Sequence, residues 1–189
     1  MLTNAFKGIL LDKIIVENGT RLTNLGNNWN GTVYKIDFEG DSYDYNCFTL
    51  DGSKVTKYKN YCKANVDLST SIQGITITEI GDNAFNNTAI TSAILGSKIT
   101  KIGVNSFSNN NLSSVTLNNG LIEIGDKAFY NAGLTTVVIP RTVTTIGNNV
   151  FDNNTGLESI TINGKSNSSE FDKLGTNWNG TCTNIIYSK

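Results

Sequence analysis

The chain has 189 residues, 38% of them hydrophobic and 16% charged, with 15 Lys and Arg against 16 Asp and Glu dispersed along it. Such a chain suits one or at most two globular units with a real core, and it lacks the basic or acidic footprint that phosphate backbones or anionic lipids require, which excludes nucleic acid as an expected partner. Histidine is absent, which removes the commonest general base, the commonest zinc ligand and every triad of the Ser/His/Asp or Cys/His type.

No run approaches the ~20 apolar residues of a membrane span. The start, MLTNAFKGILLDK, has neither a basic region nor a small-residue cleavage site, so any export signal is expected outside this segment. What the chain has in abundance is 28 Asn, many Ser and Thr, and 18 Gly, beside the single proline Pro140. This is turn chemistry repeated many times.

In chain order, Ala5-Phe6, Leu11, Ile14 and Val16 have the spacing of half of a 22-residue unit that recurs in full further on, and Leu25-Gly26-Asn27-Asn28-Trp29-Asn30-Gly31-Thr32 follows them. Residues 1–38 are therefore expected to be the end of a preceding array with its closing segment. Asp37, Glu39 and Asp41, with Asp44 beyond, resemble part of a calcium loop, but Phe48 stands where the EF-hand needs its bidentate Glu. The solvent face of a strand that buries Phe38 accounts for these carboxylates, and no metal site is expected.

Residues 39–76 read as a β-rich cap. Phe48 to Val55 form two short strands around Asp51-Gly52, a hairpin signal, and Asn65-Val66-Asp67-Leu68 and Ile75-Thr76-Ile77 lead onward. A cap has a clear task, since the first repeat otherwise exposes an apolar face. Cys47 and Cys62 fit no metal pattern; they either bridge in an oxidising compartment or remain packed or exposed thiols.

Residues 77–164 carry four repeats. Ile80-Gly81 with Phe85, Ile102-Gly103 with Phe107, Ile124-Gly125 with Phe129 and Ile146-Gly147 with Phe151 recur at steps of 22 residues. Ile90, Leu112 and Leu134 follow, then Ala93, Val115 and Val137, then Leu95, Leu117 and Ile139; the fourth copy has one extra residue and resumes with Leu157, Ile160 and Ile162. A unit this short cannot close its own core, so neighbouring units must bury its apolar side, which predicts a solenoid. Val115 and Leu117 should point inward and Ser114 and Thr116 outward from strands stacked as a parallel ladder. The glycine is expected to take a positive or otherwise unusual φ, and Ala and Phe to face inward from about one turn of helix. Pairs such as Asn86-Asn87 and Asn109-Asn110 should make the corners. The column before each Ile-Gly pair reads Glu79, Lys101, Glu123, Thr145, so laterally stacked neighbours alternate in charge.

These units resemble the BspA-like leucine-rich repeats of bacterial surface proteins, whose unit runs L-x-x-I-G-x-x-A-F-x-x-(N/C)-x-x-L-x-x-V-x-I-P. Ile124-Gly125-Asp126-Lys127-Ala128-Phe129 through Leu134, Val137, Ile139 and Pro140 matches almost position for position. The units lack the Cys often seen after Phe, and Pro follows the strand in the third copy alone. The resemblance implies a β-rich leucine-rich-repeat solenoid with short helical turns. It also implies a secreted or surface-displayed, non-catalytic adhesion protein that binds host matrix proteins, other cells or glycans.

Residues 165–189 are expected to close the array. Leu174-Gly175-Thr176-Asn177-Trp178-Asn179-Gly180-Thr181 matches residues 25–32 at seven of eight positions across an offset of 149 residues, so a longer period is also present. Trp29 and Trp178 either plug the core from the Phe-like position of degenerate repeats or stack on sugars, as a carbohydrate-binding module does. Cys182 stands where Val33 does in the earlier segment, which predicts a small buried role.

No spacing singles out a catalytic pair, a metal site or a cofactor, and no enzyme is expected. The Asn-x-Ser/Thr triplets arise by chance in a chain of this composition. The binding candidate is the outward side of the ladder: Ser92, Ile94, Ser114, Thr116, Thr136, Val138, Ser159 and Thr161. This nearly uncharged surface is of the extended kind that repeat proteins use for recognition, although β-propensity alone also places Thr and Val on an idle sheet. A structural spacer presenting another domain is the alternative to adhesion.

Overall fold

The computed structural model describes residues 47–60 and 62–189, together with the backbone of β1 (Ile14–Val16) and β2 (Ile36–Phe38). Two compact units are present, Met1–Asp44 and Tyr45–Lys189. In the first, β1 and β2 pair in parallel with Ile14 opposite Ile36, an offset of one repeat length. Ala5, Phe6 and Leu11, the segment around Trp29, and Glu39, Asp41 and Asp44 lie outside the described residues, as do the side chains of Asp37 and Phe38.

The second unit is a parallel-strand solenoid. One ladder runs through β4 (Lys54–Tyr58), β6 (Glu79–Ile80), β8 (Lys101–Ile102), β10 (Glu123–Ile124), β12 (Thr145–Ile146) and β14 (Lys173–Leu174), one strand from each of six coils. At its leading end β3 (Phe48–Asp51) folds antiparallel onto β4, the hairpin expected around Asp51-Gly52. Val55, Ile80, Ile102, Ile124 and Ile146 stack along the inside with no exposed surface. Outside them the register is Lys54, Glu79, Lys101, Glu123, Thr145, Lys173, so the charge alternation read from sequence is a physical column. Lys54 pairs with Glu79 at 3.2 Å and Lys101 with Glu123 at 3.1 Å. The carboxylate of Glu123, by hydrogen bond and then by charge, holds the Lys101 ammonium above its ordinary pKa. These pairs are solvent-exposed and add little net stability, but the column disfavours a one-coil slip that would set like charges together.

On another side of the coils lie β5 (Asn65–Asp67), β7 (Ser92–Ile94) and β9 (Ser114–Thr116), then β11 (Thr136–Ile139), β13 (Ser159–Asn163) and β15 (Ile185–Ser188). The expected single ladder is in fact two three-stranded sheets, β5-β7-β9 and β11-β13-β15. Val115 and Leu117, expected in the core, are half-buried, whereas their neighbours Ala93, Leu95, Val137 and Ile139 are buried.

The return segments differ from the sequence expectation in two ways. No helical turn forms between Gly and Phe: the chain makes tight turns, and the sole helical element among the described residues is the 3-10 turn Ser168–Glu170. The left-handed conformation falls not on the repeat glycines but on asparagines two residues after them, at Asn83, Asn105, Asn149 and Asn177, and again two residues after each Phe, at Asn87, Asn109, Asn131 and Asn153. Asn tolerates this region better than other side-chain-bearing residues, and that explains the unusual Asn content. Glycine is needed for another reason: a Cβ on Gly103 would lie 2.6 Å from the Asp82 amide nitrogen and 2.7 Å from the Gly81 carbonyl carbon of the preceding coil. Adjacent backbones touch there, and any side chain wedges them apart.

Phe85, Phe107, Phe129 and Phe151 form the spine of the core. Their rings stack at centroid distances of 4.8, 5.3 and 5.6 Å with interplanar angles of 4°, 5° and 7°. Tyr58 and Phe48 close the stack at one end, and Trp178 closes it edge-on at the other.

Asn110 and Asn154 are not corner residues. Both are buried, and each amide serves two coils. The Asn110 Oδ1 accepts from the N–H groups of Thr88 and Ile90, both at 3.2 Å, while its Nδ2 donates to the carbonyls of Phe85 at 2.8 Å and Phe107 at 3.0 Å. Asn154 repeats this with Ala132 and Leu134 as donors and Phe129 and Phe151 as acceptors.

Asp126 plays a smaller role of the same kind. Its Oδ1 accepts from the Asn148 N–H at 2.8 Å and its Oδ2 from the Asn148 side chain at 3.1 Å; these bonds, the backbone one foremost, hold the carboxyl below its ordinary pKa. A carboxyl depressed by folding stabilises above its unfolded pKa of about 3.9, and that contribution is lost as pH falls through the folded value. The stability difference between the protein and Asp126→Asn, read by urea unfolding, is therefore expected to be present at neutral pH and to vanish in acid. A difference independent of pH contradicts this.

Candidate binding surface

The eight outward residues named from sequence all project from the second strand position of the coils. Ser92 stands opposite Ser114, and Ile94 opposite Thr116; Thr136 stands opposite Ser159, and Val138 opposite Thr161. Ser114, Thr116 and Thr136 are exposed, Ile94 and Val138 are 44% and 50% exposed, and Ser92, Ser159 and Thr161 are half-buried. Alternation places them there, since Ala93, Val137 and Ile160 between them are held in the core.

β7 pairs with β9 and β11 with β13, while β9 and β11 lie side by side without strand pairing. Their charge is nil. Two additions escaped sequence reading. At one end Asn65 and Asp67 pair with Ser92 and Ile94, and the Ser92 hydroxyl donates to Asn65 Oδ1 at 2.9 Å. At the other, Ile186, 44% exposed, stands beside Thr161 and extends the aliphatic column. The available signal for Ile186 was its place after the Trp178 segment, eight residues on, but the final coil departs from the 22-residue spacing.

Trp178 is 8% exposed and packs its ring against Phe151, so it acts as a core plug and offers no open face for stacking on a sugar. Cys182 is a buried free thiol, as its Val-like position implies. Cys47 and Cys62 are bridged, with Cα atoms 5.8 Å apart. Closing a loop of this size contributes about 3 kcal/mol in the chain-entropy account. Among the described residues no three Cys, Asp or Glu side chains converge as a metal site, and no helix is long and apolar enough to cross a membrane.

Stacked coils with an inward Phe spine, buried Asn and a parallel ladder define a leucine-rich-repeat solenoid. The family described as BspA type leucine rich repeat region matches residues 78–175 in 6 copies, and the chain belongs to that family. Among solved structures, a leucine-rich repeat protein from Bacteroides capillosus is similar at 25% identity and a TM-score of 0.50, over 61% of this chain and 98% of its own. The pneumococcal vaccine antigen PcpA is similar in fold at 20% identity and a TM-score of 0.58, over 95% of this chain and 46% of its own. Comparison with curated proteins gives no match.

Proposed function

We propose that this chain is a non-catalytic adhesion module of a secreted or surface-displayed bacterial protein, and that it binds a host matrix protein, a cell-surface protein or a glycan through the outward face of β7, β9, β11 and β13. The observation that carries the reading is the column Ile94, Thr116, Val138, Thr161, Ile186: uncharged, largely solvent-exposed, and backed by buried neighbours on a fold whose repeats typically serve protein interaction. The Cys47–Cys62 disulfide supports an oxidising compartment outside the cytoplasm. Affinity in such a surface comes from area and from repetition of similar contacts.

The test is surface-based binding of the purified chain to a panel of matrix proteins and glycans, beside the double variant Thr116→Lys with Val138→Lys. Both positions are exposed, so thermal unfolding should be unchanged while affinity falls by about tenfold or more. Equal binding by the variant overturns the assignment of the face. Binding to no member of the panel by a folded sample overturns the adhesive reading in favour of a spacer.

A further inference from the structure

No strand pairing joins β9 to β11. At the position three residues after Phe, successive coils carry Thr88, Asn110, Ala132 and Asn154. Asn110 ties its coil to the one before it, and Asn154 does the same. Ala132 has no amide to tie its coil to that of Phe107. The sheet parts at the junction between these two clamped pairs, whereas the end junctions, which carry Thr88 and Thr181 at this position, also lack an Asn and stay paired as β5-β7 and β13-β15.

The flanking hydrogen bonds part with it. Ser113 N–H donates to the Thr91 carbonyl and Glu158 N–H to the Thr135 carbonyl, but the equivalent bond from Thr135 to Ser113 is missing. Leu68 donates to Ile94 and Leu95 to Thr116, but Leu117 does not donate to Val138. Away from this side the same two coils remain joined. Glu123 and Ile124 pair with Lys101 and Ile102, Phe107 stacks on Phe129 at 5.3 Å, and Leu112 N–H donates to the Ala132 carbonyl. One edge is open and the opposite edge is hydrogen-bonded, which is the construction of a hinge.

We propose that the solenoid flexes at this junction, with the β8-β10 pairing as the hinge line and the β9/β11 gap as the side that opens and closes. The motion changes the distance between Thr116 and Val138, and so adjusts the two halves of the outward face to the contour of whatever occupies it. Local opening is expected where backbone bonds are missing and core aliphatics are part-exposed, as Val115 and Leu117 are. The hinge is read from the free chain, so it stands or falls independently of the binding panel.

Two measurements on the full chain test it. Amide exchange at Leu117 and Thr135 should be at least about 100-fold faster than at Leu95 and Glu158, whose equivalent bonds are made. Spin-label distances, in a Cys182→Ala background, should be broadly distributed for Ile94→Cys with Ile186→Cys, which spans the gap on its open side. Thr78→Cys with Asp172→Cys, which spans the same coils on the hinge side, should give a narrow distribution. Equal widths on the two sides of the parent chain, even with fast exchange, mean a fixed gap and overturn the hinge. Protection of Leu117 and Thr135 equal to that of Leu95 and Glu158 overturns it as well.

Discussion

Asn110→Ala should lower the unfolding free energy by about 3 kcal/mol, because it leaves the Thr88 and Ile90 N–H groups and the Phe107 carbonyl buried without partners. The neighbouring Asn109→Ala supplies the contrast. Asn109 is exposed and left-handed at φ 55°, and its Oδ1 accepts one solvent-exposed hydrogen bond from Asn131, so its replacement should cost about 1 kcal/mol, chiefly through backbone strain. Urea unfolding of both variants decides the matter. Similar losses from the two would mean that the buried amide does no more than turn the chain.

Phe129→Ala should cost about 3–5 kcal/mol, the range for deleting a fully buried aromatic side chain. The position has no room to relax, since its ring meets Phe107 at 5.3 Å on one face and Phe151 at 5.6 Å on the other. Phe129→Leu keeps part of the volume and should cost clearly less. Trp178 fluorescence in a Trp29→Phe background follows the unfolding of this unit, because Trp178 ends the same stack. A loss below about 1 kcal/mol for the alanine variant would show that the spine collapses around the cavity.

Much of this architecture was legible because a 22-residue recurrence fixes lateral neighbours without any knowledge of the path between them. The Ile and Phe columns, the charge alternation and the outward residues of β7, β9, β11 and β13 all follow from that one fact. The turns were misread because Gly-x-x-Ala-Phe spaces its apolar residues as a helical turn does, whereas left-handed Asn at the intervening position redirects the chain. The role of Gly81, Gly103 and Gly125 was misread because the constraint is the backbone of the preceding coil, not the residue's own φ. Asn109 and Asn110 are chemically identical in sequence, and burial of the second alone separates corner from clamp. The missing pairing between β9 and β11 escaped notice because Val115 and Val137 keep the 22-residue spacing across it.

The aromatic spine bears on how such an array grows. Each inner ring meets the same ring on both faces, nearly parallel, so copying or deleting a whole coil presents no ring of the spine with an unfamiliar neighbour. Novelty is demanded only at the ends, where Tyr58 and Phe48 on one side and Trp178 on the other terminate the series at steeper angles. Lineages carrying this solenoid can therefore change its reach by unequal exchange of repeats while leaving the two terminators untouched.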